Sequence, residues 1–474
     1  MPDPRLVPKP LVFILFGATG DLAHRLVFPA LFRLAQAELL PSDWRLVGNG
    51  RGDVSHENFR GRVRDSLETF GPKPSEGPWD TFASKLLFAG GGFDTDNPGS
   101  LLEVIDEACD EIKDYQLIHY LAVPPTAFAD LTMAISSHGL AEGARIVYEK
   151  PFGTSKESFQ ALDQVAHDVF KESQIYRIDH FLGKEATQDV HILRFANGLF
   201  SRAWDHRHIS SVQIDVPETI DVSTRGSFYD ATGASLDMIV THLFQLAAEV
   251  AMEPPRSFSA ENIGAAREKV IGHFRPLARD DVVLGQYEGY RDTDGVAPDS
   301  RTETFTALRL WIDNDRWRDV PFFMRTGKCL ARSGQRISAE FRSPPARLMD
   351  ARAHLVDSPE PGNVLTFDLA DGAISLRMVA KKPGVDVTLA PADADLSLGE
   401  AFHTPVLPAY ARLIYDLMMG DRSLFTRPDG LAHVWDVSDA LLTDKPDPIP
   451  YPKGSWGPRQ AAALLAPDEW RFGE

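Results

Sequence analysis

The sequence predicts an α/β Rossmann-type domain followed by an α+β domain with a large, mostly antiparallel sheet. Three observations predict it. The first third alternates apolar strand-like runs with helical patterns, the signature of parallel βαβ units. After about residue 186 the runs change to period-two alternation, with few helical patterns between them. A chain of 474 residues is also longer than one core usually supports. The boundary is expected just after Glu185, giving domains 1–185 and 186–474.

Taken in order, Leu11–Phe16 is an apolar run that could be mistaken for a signal-peptide core. It is short and leads into a glycine turn and an acid, so a buried first strand is the expectation. A helix over Val27–Ala37 follows, then strands at Arg45–Gly48, Leu117–Ala122 and Arg145–Tyr148. In the second domain Val212–Val216 and Phe305–Ile312 alternate, as do Ile337, Ala339 and Phe341. Val364–Leu369 and Ile374–Val379 flank Asp371-Gly372, a strong hairpin signal. Asp237–Met252 reads as a helix that is apolar around most of its circumference. No run is long enough to span a bilayer, and no internal repeat is visible.

Composition narrows the function classes. The apolar share of 43% and charged share of 25% are those of a soluble globular protein, so no membrane partner is expected. A net charge of −19 argues against a nucleic-acid partner, although a local cationic pocket for a small anion remains compatible with it. Two cysteines, Cys109 and Cys329, cannot build a disulfide framework and suit a reducing, cytoplasmic location.

Three segments carry chemistry. Gly17-Ala18-Thr19-Gly20-Asp21-Leu22-Ala23 follows the first strand and opens a helix, a relaxed dinucleotide fingerprint. Gly17 permits the turn, Gly20 lets backbone approach a pyrophosphate, and Ala23 keeps the helix close to the sheet. An ordinary strand-to-helix turn is the competing reading. Arg51, just past the second strand, suits a 2′-phosphate and hence NADP, with NAD still possible; a solvated surface arginine is the alternative, and Asp53 lies close by. Arg177-Ile178-Asp179-His180-Phe181-Leu182-Gly183-Lys184-Glu185 places an acid, an imidazole and an amine at the expected domain seam, where ligands often bind. His242, Gln245 and Glu249 share one stripe of the 237–252 helix. A buried histidine is usually a satisfied core residue, but Asp179, His180 and Lys184 favour a general base that takes a proton from a sugar hydroxyl. Spacing alone does not say which carboxylate would orient it. No His/Cys cluster has metal-ligand spacing, and no metal is expected.

Together Gly17–Ala23, Glu149-Lys150-Pro151-Phe152-Gly153 and Arg177–Glu185 resemble the glucose-6-phosphate dehydrogenase family. The resemblance continues through Leu193–Asn197, Asp237–Gln245, Thr302–Phe305, Arg325-Thr326-Gly327-Lys328 and Gly454–Pro458, nearly the whole chain in the family's order. It implies oxidation of a hexose 6-phosphate at C1 to a lactone, with hydride passing to NADP or NAD. It implies His242 as the base and Asp179 as its orienting acid. His180, Lys184, Lys150, Glu218, Asp237, Lys328 and Tyr410 are implied to hold the sugar or its phosphate. Gly17, Ala18, Thr19, Gly20, Asp21, Leu22, Arg51 and Lys150 are implied to meet the cofactor, with a conformationally special peptide bond at Pro151. It further implies a homodimer or homotetramer formed through the large sheet.

The chain departs from the family pattern where the phosphate would lie. A tyrosine is replaced by Phe181, a lysine by Leu26 and a basic residue by Ser333; the asparagine before the catalytic histidine is Thr241. Hydrogen bonds to charged groups are worth about 1.5–3 kcal/mol each, so uncompensated losses could cost roughly 3–6 kcal/mol, about two to four decades of affinity. Either Arg25, Arg332 or Arg336 replaces the missing charge, or the substrate is an unphosphorylated or differently substituted hexose.

Overall fold

The computed structural model describes residues 8–110, 112–343, 354–355, 362–443 and 445–473. It divides into two compact units. The first comprises residues up to Gly183 together with Ser257–Gly264 and Leu407–Pro428; the second comprises Lys184–Arg256, Ala265–Val406 and Asp429–Glu474.

In the first unit, strands β1 (Leu11–Phe16), β2 (Trp44–Asn49), β3 (Leu86–Ala89), β4 (Gln116–Leu121), β5 (Arg145–Tyr148) and β6 (Ile175–Ile178) pair in parallel in the order β3-β2-β1-β4-β5-β6. This is the doubly wound order whose switch point lies between β1 and β4. All six residues of β1 are buried, which is why it reads as continuously apolar rather than alternating: a central parallel strand is covered on both faces. The helix after β1 begins at Asp21, runs through a π-helical stretch at Ala23–Val27, and continues as Phe28–Gln36; it starts earlier than the expected 27–37. The core gathers Phe13, Leu15, Phe28, Phe32, Phe59 and Phe88.

The expected cut after residue 185 lies beside the break at Gly183/Lys184, and two later segments also cluster with the first unit. Phe425–Thr426 adds an antiparallel edge strand to β6, and the helix Ala409–Met419 lays Leu413, Ile414 and Leu417 into the first unit's core. Apolar burial ties this distant stretch to the first sheet, and local texture carries no sign of it.

The second unit holds β7 (Ile209–Pro217), β8 (Val282–Tyr287), β9 (Phe305–Leu310), β10 (Phe322–Gly327), β11 (Arg336–Phe341), β12 (His354–Leu355), β13 (Val364–Asp368), β14 (Ala373–Lys381), β15 (Thr388–Ser397) and β16 (Ile449–Tyr451). Among the described residues they form one sheet in the order β12-β15-β14-β13-β11-β7-β10-β9-β8-β16. Most neighbours are antiparallel; β7 with β10, β8 with β16 and β12 with β15 are parallel. The Asp371-Gly372 hairpin forms between β13 and β14, with Gly372 at φ +64. The expected strand 305–312 ends at Leu310, and Ile312 makes only an isolated bridge to Phe274. The helix expected over 237–252 begins at Ser235 as a π-helical stretch to Leu243, then continues as Phe244–Ala251.

Candidate active site

In the first unit, β1 ends in a turn that only glycine tolerates. Gly17 has φ +77, and a Cβ there would stand 2.3 Å from the Ala122 carbonyl oxygen, at the end of β4. The amides of Gly17 and Ala18 both donate to the Asn49 carbonyl at 3.1 Å, and the Asn49 side chain is tied to Ala89 at 3.2 Å. The ends of β1, β2, β3 and β4 are thus fixed around the switch point. Thr19 and Asp21 are exposed, Gly20 and Leu22 half-buried, and Ala18 buried. Arg51 is exposed one residue beyond Gly50. A positive-φ glycine at a strand end, a following helix N-terminus and an exposed arginine past β2 fit a nicotinamide dinucleotide.

Asp179 leaves the end of β6 and is buried; its carboxylate accepts the Phe181 amide at 2.9 Å. Its neighbour Arg177 is buried beneath the ring of Phe152, donating to Asp163 at 2.7 Å and to Glu172 at 3.0 and 3.1 Å, and Arg422 also pairs with Glu172. This network and the edge strand Phe425–Thr426 hold β6 from both sides. His180 is half-buried, with its ring 4.7 Å from that of Phe181 and stacked at 6.4 Å on Tyr410. The Lys150–Pro151 bond is cis, the special peptide expected there. Phe181 itself is buried, so the residue in the family's tyrosine position packs as core.

Glu149 is the residue that sequence reasoning quoted without a role. It is buried and accepts hydrogen bonds from the hydroxyls of Tyr120 at 2.5 Å and Tyr410 at 3.3 Å. Burial pushes its carboxyl up, against the two hydroxyls and Lys150. The Tyr410 hydroxyl, expected to reach a phosphate, is directed to Glu149.

In the second unit, Lys184 starts the helix Glu185–Ala196 and donates to the Leu369 carbonyl at 3.3 Å. Burial lowers its pKa, and Asp368 opposes that. Glu218 and Lys328 follow directly after the parallel strands β7 and β10, whose register sets Pro217 beside Gly327, and they form an ion pair. The ammonium lies 5.6 Å from the Tyr229 ring centre. The phenol of Tyr229 is pushed up by burial and by Asp237. His242 is fully buried in the π-helical stretch, a local geometry often found at functional sites. That stretch is anchored at its start: Glu303 accepts the Ser235 amide at 3.1 Å, its carbonyl accepts the Ala234 amide at 2.9 Å, and Lys445 pairs with its carboxylate at 2.8 Å. Gly233, at φ +65, lets Glu303 approach. Further along, Glu249 is buried and held to about pKa 2: burial raises it, but Arg267 and His191 outweigh that.

The three arginines expected as replacements for the missing charge each have a partner of their own. The Ser333 hydroxyl accepts the Thr219 amide at 2.8 Å and meets its hydroxyl at 3.0 Å. Arg336 donates to Asp368 at 3.0 Å and Arg332 lies over Phe472. Leu26 is exposed, and the neighbouring Arg25 is exposed and 3.6 Å from Asp21.

Fold and site define a nicotinamide-nucleotide-binding oxidoreductase with a Rossmann domain and a large antiparallel substrate domain. The comparisons narrow this. The family described as Glucose-6-phosphate dehydrogenase, NAD binding domain, matches residues 14–189, and its C-terminal domain matches 191–472. The chain belongs to the glucose-6-phosphate dehydrogenase family. It is 35% identical to the glucose-6-phosphate 1-dehydrogenase of Bacillus subtilis (strain 168), over 96% of this chain and 97% of that one. It is also 35% identical to the cytoplasmic glucose-6-phosphate 1-dehydrogenase 6 of Arabidopsis thaliana, over 96% of this chain and 90% of that one. Among solved structures, a glucose-6-phosphate dehydrogenase in complex with its substrate glucose-6-phosphate aligns with TM-score 0.89 and 31% identity over 99% of both chains. The Mycobacterium avium glucose-6-phosphate 1-dehydrogenase aligns with TM-score 0.85 and 33% identity, over 98% of this chain and 99% of that one.

Proposed function

We infer that this chain oxidises the C1 hydroxyl of glucose 6-phosphate to 6-phosphogluconolactone, with NADP as the preferred acceptor, as an entry step of the pentose phosphate pathway. The observation that carries the reading is the family match across both domains, 14–189 and 191–472, including every segment on which the site was built. The chemistry a bound nicotinamide would supply is acceptance of the hydride that leaves C1. His242 takes the hydroxyl proton as that bond becomes a carbonyl, and Asp179 is the carboxylate we assign to fix its tautomer and stabilise the imidazolium. Lys184 and His180 hold the phosphate. Lys150, Glu218, Asp237 and Lys328 position the sugar, and Tyr410 packs against His180. Gly17 to Leu22 and Lys150 meet the cofactor, and Arg51 supplies the charge that favours a 2′-phosphate.

An unphosphorylated hexose is not favoured, because the relatives are named for the phosphorylated sugar. The exposed outer strands β14 and β15 carry Met378, Val379 and Leu396 on their surface, which supports association of two or four copies through this sheet. A cytoplasmic location fits the two unpaired cysteines, and among the described residues no helix is long and apolar enough to cross a membrane. His242→Asn tests the reading: kcat should fall by about 10²–10⁴ while NADP binding, measured by titration, is unchanged. Retention of most activity would remove His242 as the base.

A further inference from the structure

The residues 469–473 are built into the second unit beside the loop from β10 to β11. Phe472 is 4% exposed, with the guanidinium of Arg336 4.4 Å and that of Arg332 5.4 Å from its ring centre. Trp456 packs edge-on at 5.8 Å. Gly334 runs so close that a Cβ on it would stand 2.2 Å from the ring. The segment is fixed on either side of that contact. Its Phe472 carbonyl accepts a hydrogen bond from Arg325 at 2.6 Å, and Trp470 lies 4.4 Å from the same guanidinium. Arg471 pairs with Glu340 at 2.8 and 3.0 Å, and Gln213 bonds the backbone of Glu469 and Arg471 at 3.0 and 2.8 Å.

The loop under Phe472 leads to substrate residues. It starts at Lys328, and its Ser333 hydroxyl holds Thr219, the residue after Glu218. The Leu330 amide donates to the Glu218 carbonyl at 2.9 Å, and the Gly334 amide donates to the Pro217 carbonyl at 3.1 Å. At the loop's end Arg336 holds Asp368, the carboxylate that opposes the lowering of the Lys184 pKa. Among the described contacts, Phe472 touches no residue assigned to the sugar. It braces the loop that carries Lys328, bonds the Glu218 carbonyl through Leu330, and ends at Arg336, the partner of Asp368.

We propose that Phe472 is a positioning residue for sugar-phosphate binding: its ring, wedged between Gly334 and the guanidinium groups of Arg332 and Arg336, sets the loop that places Lys328, Glu218 and Asp368. The proposal rests on the glucose 6-phosphate reading. The test is steady-state kinetics on the full chain. Phe472→Ala should raise KM for glucose 6-phosphate about tenfold, with kcat within about threefold and KM for NADP unchanged. Gly334→Ala, pressing on the ring from the other side, should raise the same KM, and adding Phe472→Leu to it should recover part of the loss. That pair decides the matter should Phe472→Ala fail to fold. Variants that lose thermal stability but keep the wild-type KM would overturn the inference and leave the functional reading standing. A wild-type chain inactive on glucose 6-phosphate would overturn both.

Discussion

The turn after β1 and the loop after β10, the proposed cofactor and sugar sites, are built by different means. The first is contiguous: Gly17 to Asp21 follow one strand, and the close approach to Ala122 is set by backbone alone. The second is assembled from side chains far apart in sequence. Lys328 finds Glu218, Ser333 finds Thr219, Arg336 finds Asp368, and Phe472 covers them from beyond the last strand. The first construction cannot vary without breaking its geometry, and here it matches the family fingerprint. The second can exchange partners one at a time, and that is where Ser333 departs from the family pattern.

The sharpest way to break this comparison is at Gly17. Alanine there meets both an unfavourable φ and the Ala122 carbonyl, strain on the order of 1–3 kcal/mol before the steric overlap is counted. Gly17→Ala should abolish NADP binding in a titration or prevent soluble folding. A variant that binds NADP normally would show that the turn is not rigid. Next in size, Lys328→Met removes one charge-assisted contact, and KM for glucose 6-phosphate should rise about ten- to a hundredfold with KM for NADP unmoved.

The pH response sharpens the comparison further. Burial lowers the pKa of Lys184 and Asp368 opposes it. In its proposed role Lys184 binds the phosphate as the charged ammonium, so affinity should fall as pH rises through that lowered pKa. Asp368→Asn removes the opposing charge, lowers the pKa further and should move the alkaline limb of kcat/KM for the sugar phosphate to lower pH. An unmoved limb would detach Lys184 from phosphate binding. The smallest expected effect is Ser333→Ala, which loses the hydroxyl contacts to Thr219. At roughly 1 kcal/mol, it should raise the same KM about fivefold.

Legibility in the sequence divides along the same line. The apolar run Leu11–Phe16, the Gly17–Ala23 turn and the Asp179-His180 pair are local patterns, and the structure places them on β1, the helix start and the end of β6. The period-two strands of the second unit were legible for the same reason. What was not legible depends on partners distant in sequence. The apolar stripe of Ala409–Met419 marks a buried face but not that it packs into the first unit's core. Nothing local announces that Glu149 holds Tyr410, that Glu303 anchors the π-helical stretch of His242, or that Asp368 counters the pKa lowering that burial imposes on Lys184. The π-helical turn has no periodicity signal of its own, although Gly233 and the Thr302–Phe305 motif mark both sides of its anchor.

The most direct test of the account is kcat/KM for glucose 6-phosphate against glucose with NADP, followed by absorbance of the reduced nicotinamide. The account predicts a preference for the phosphorylated sugar of at least about a hundredfold, the value of two retained charge-assisted contacts at about 1.5 kcal/mol each. Equal or better turnover of glucose would contradict it and make Leu26, Phe181 and Ser333 the marks of a changed pocket.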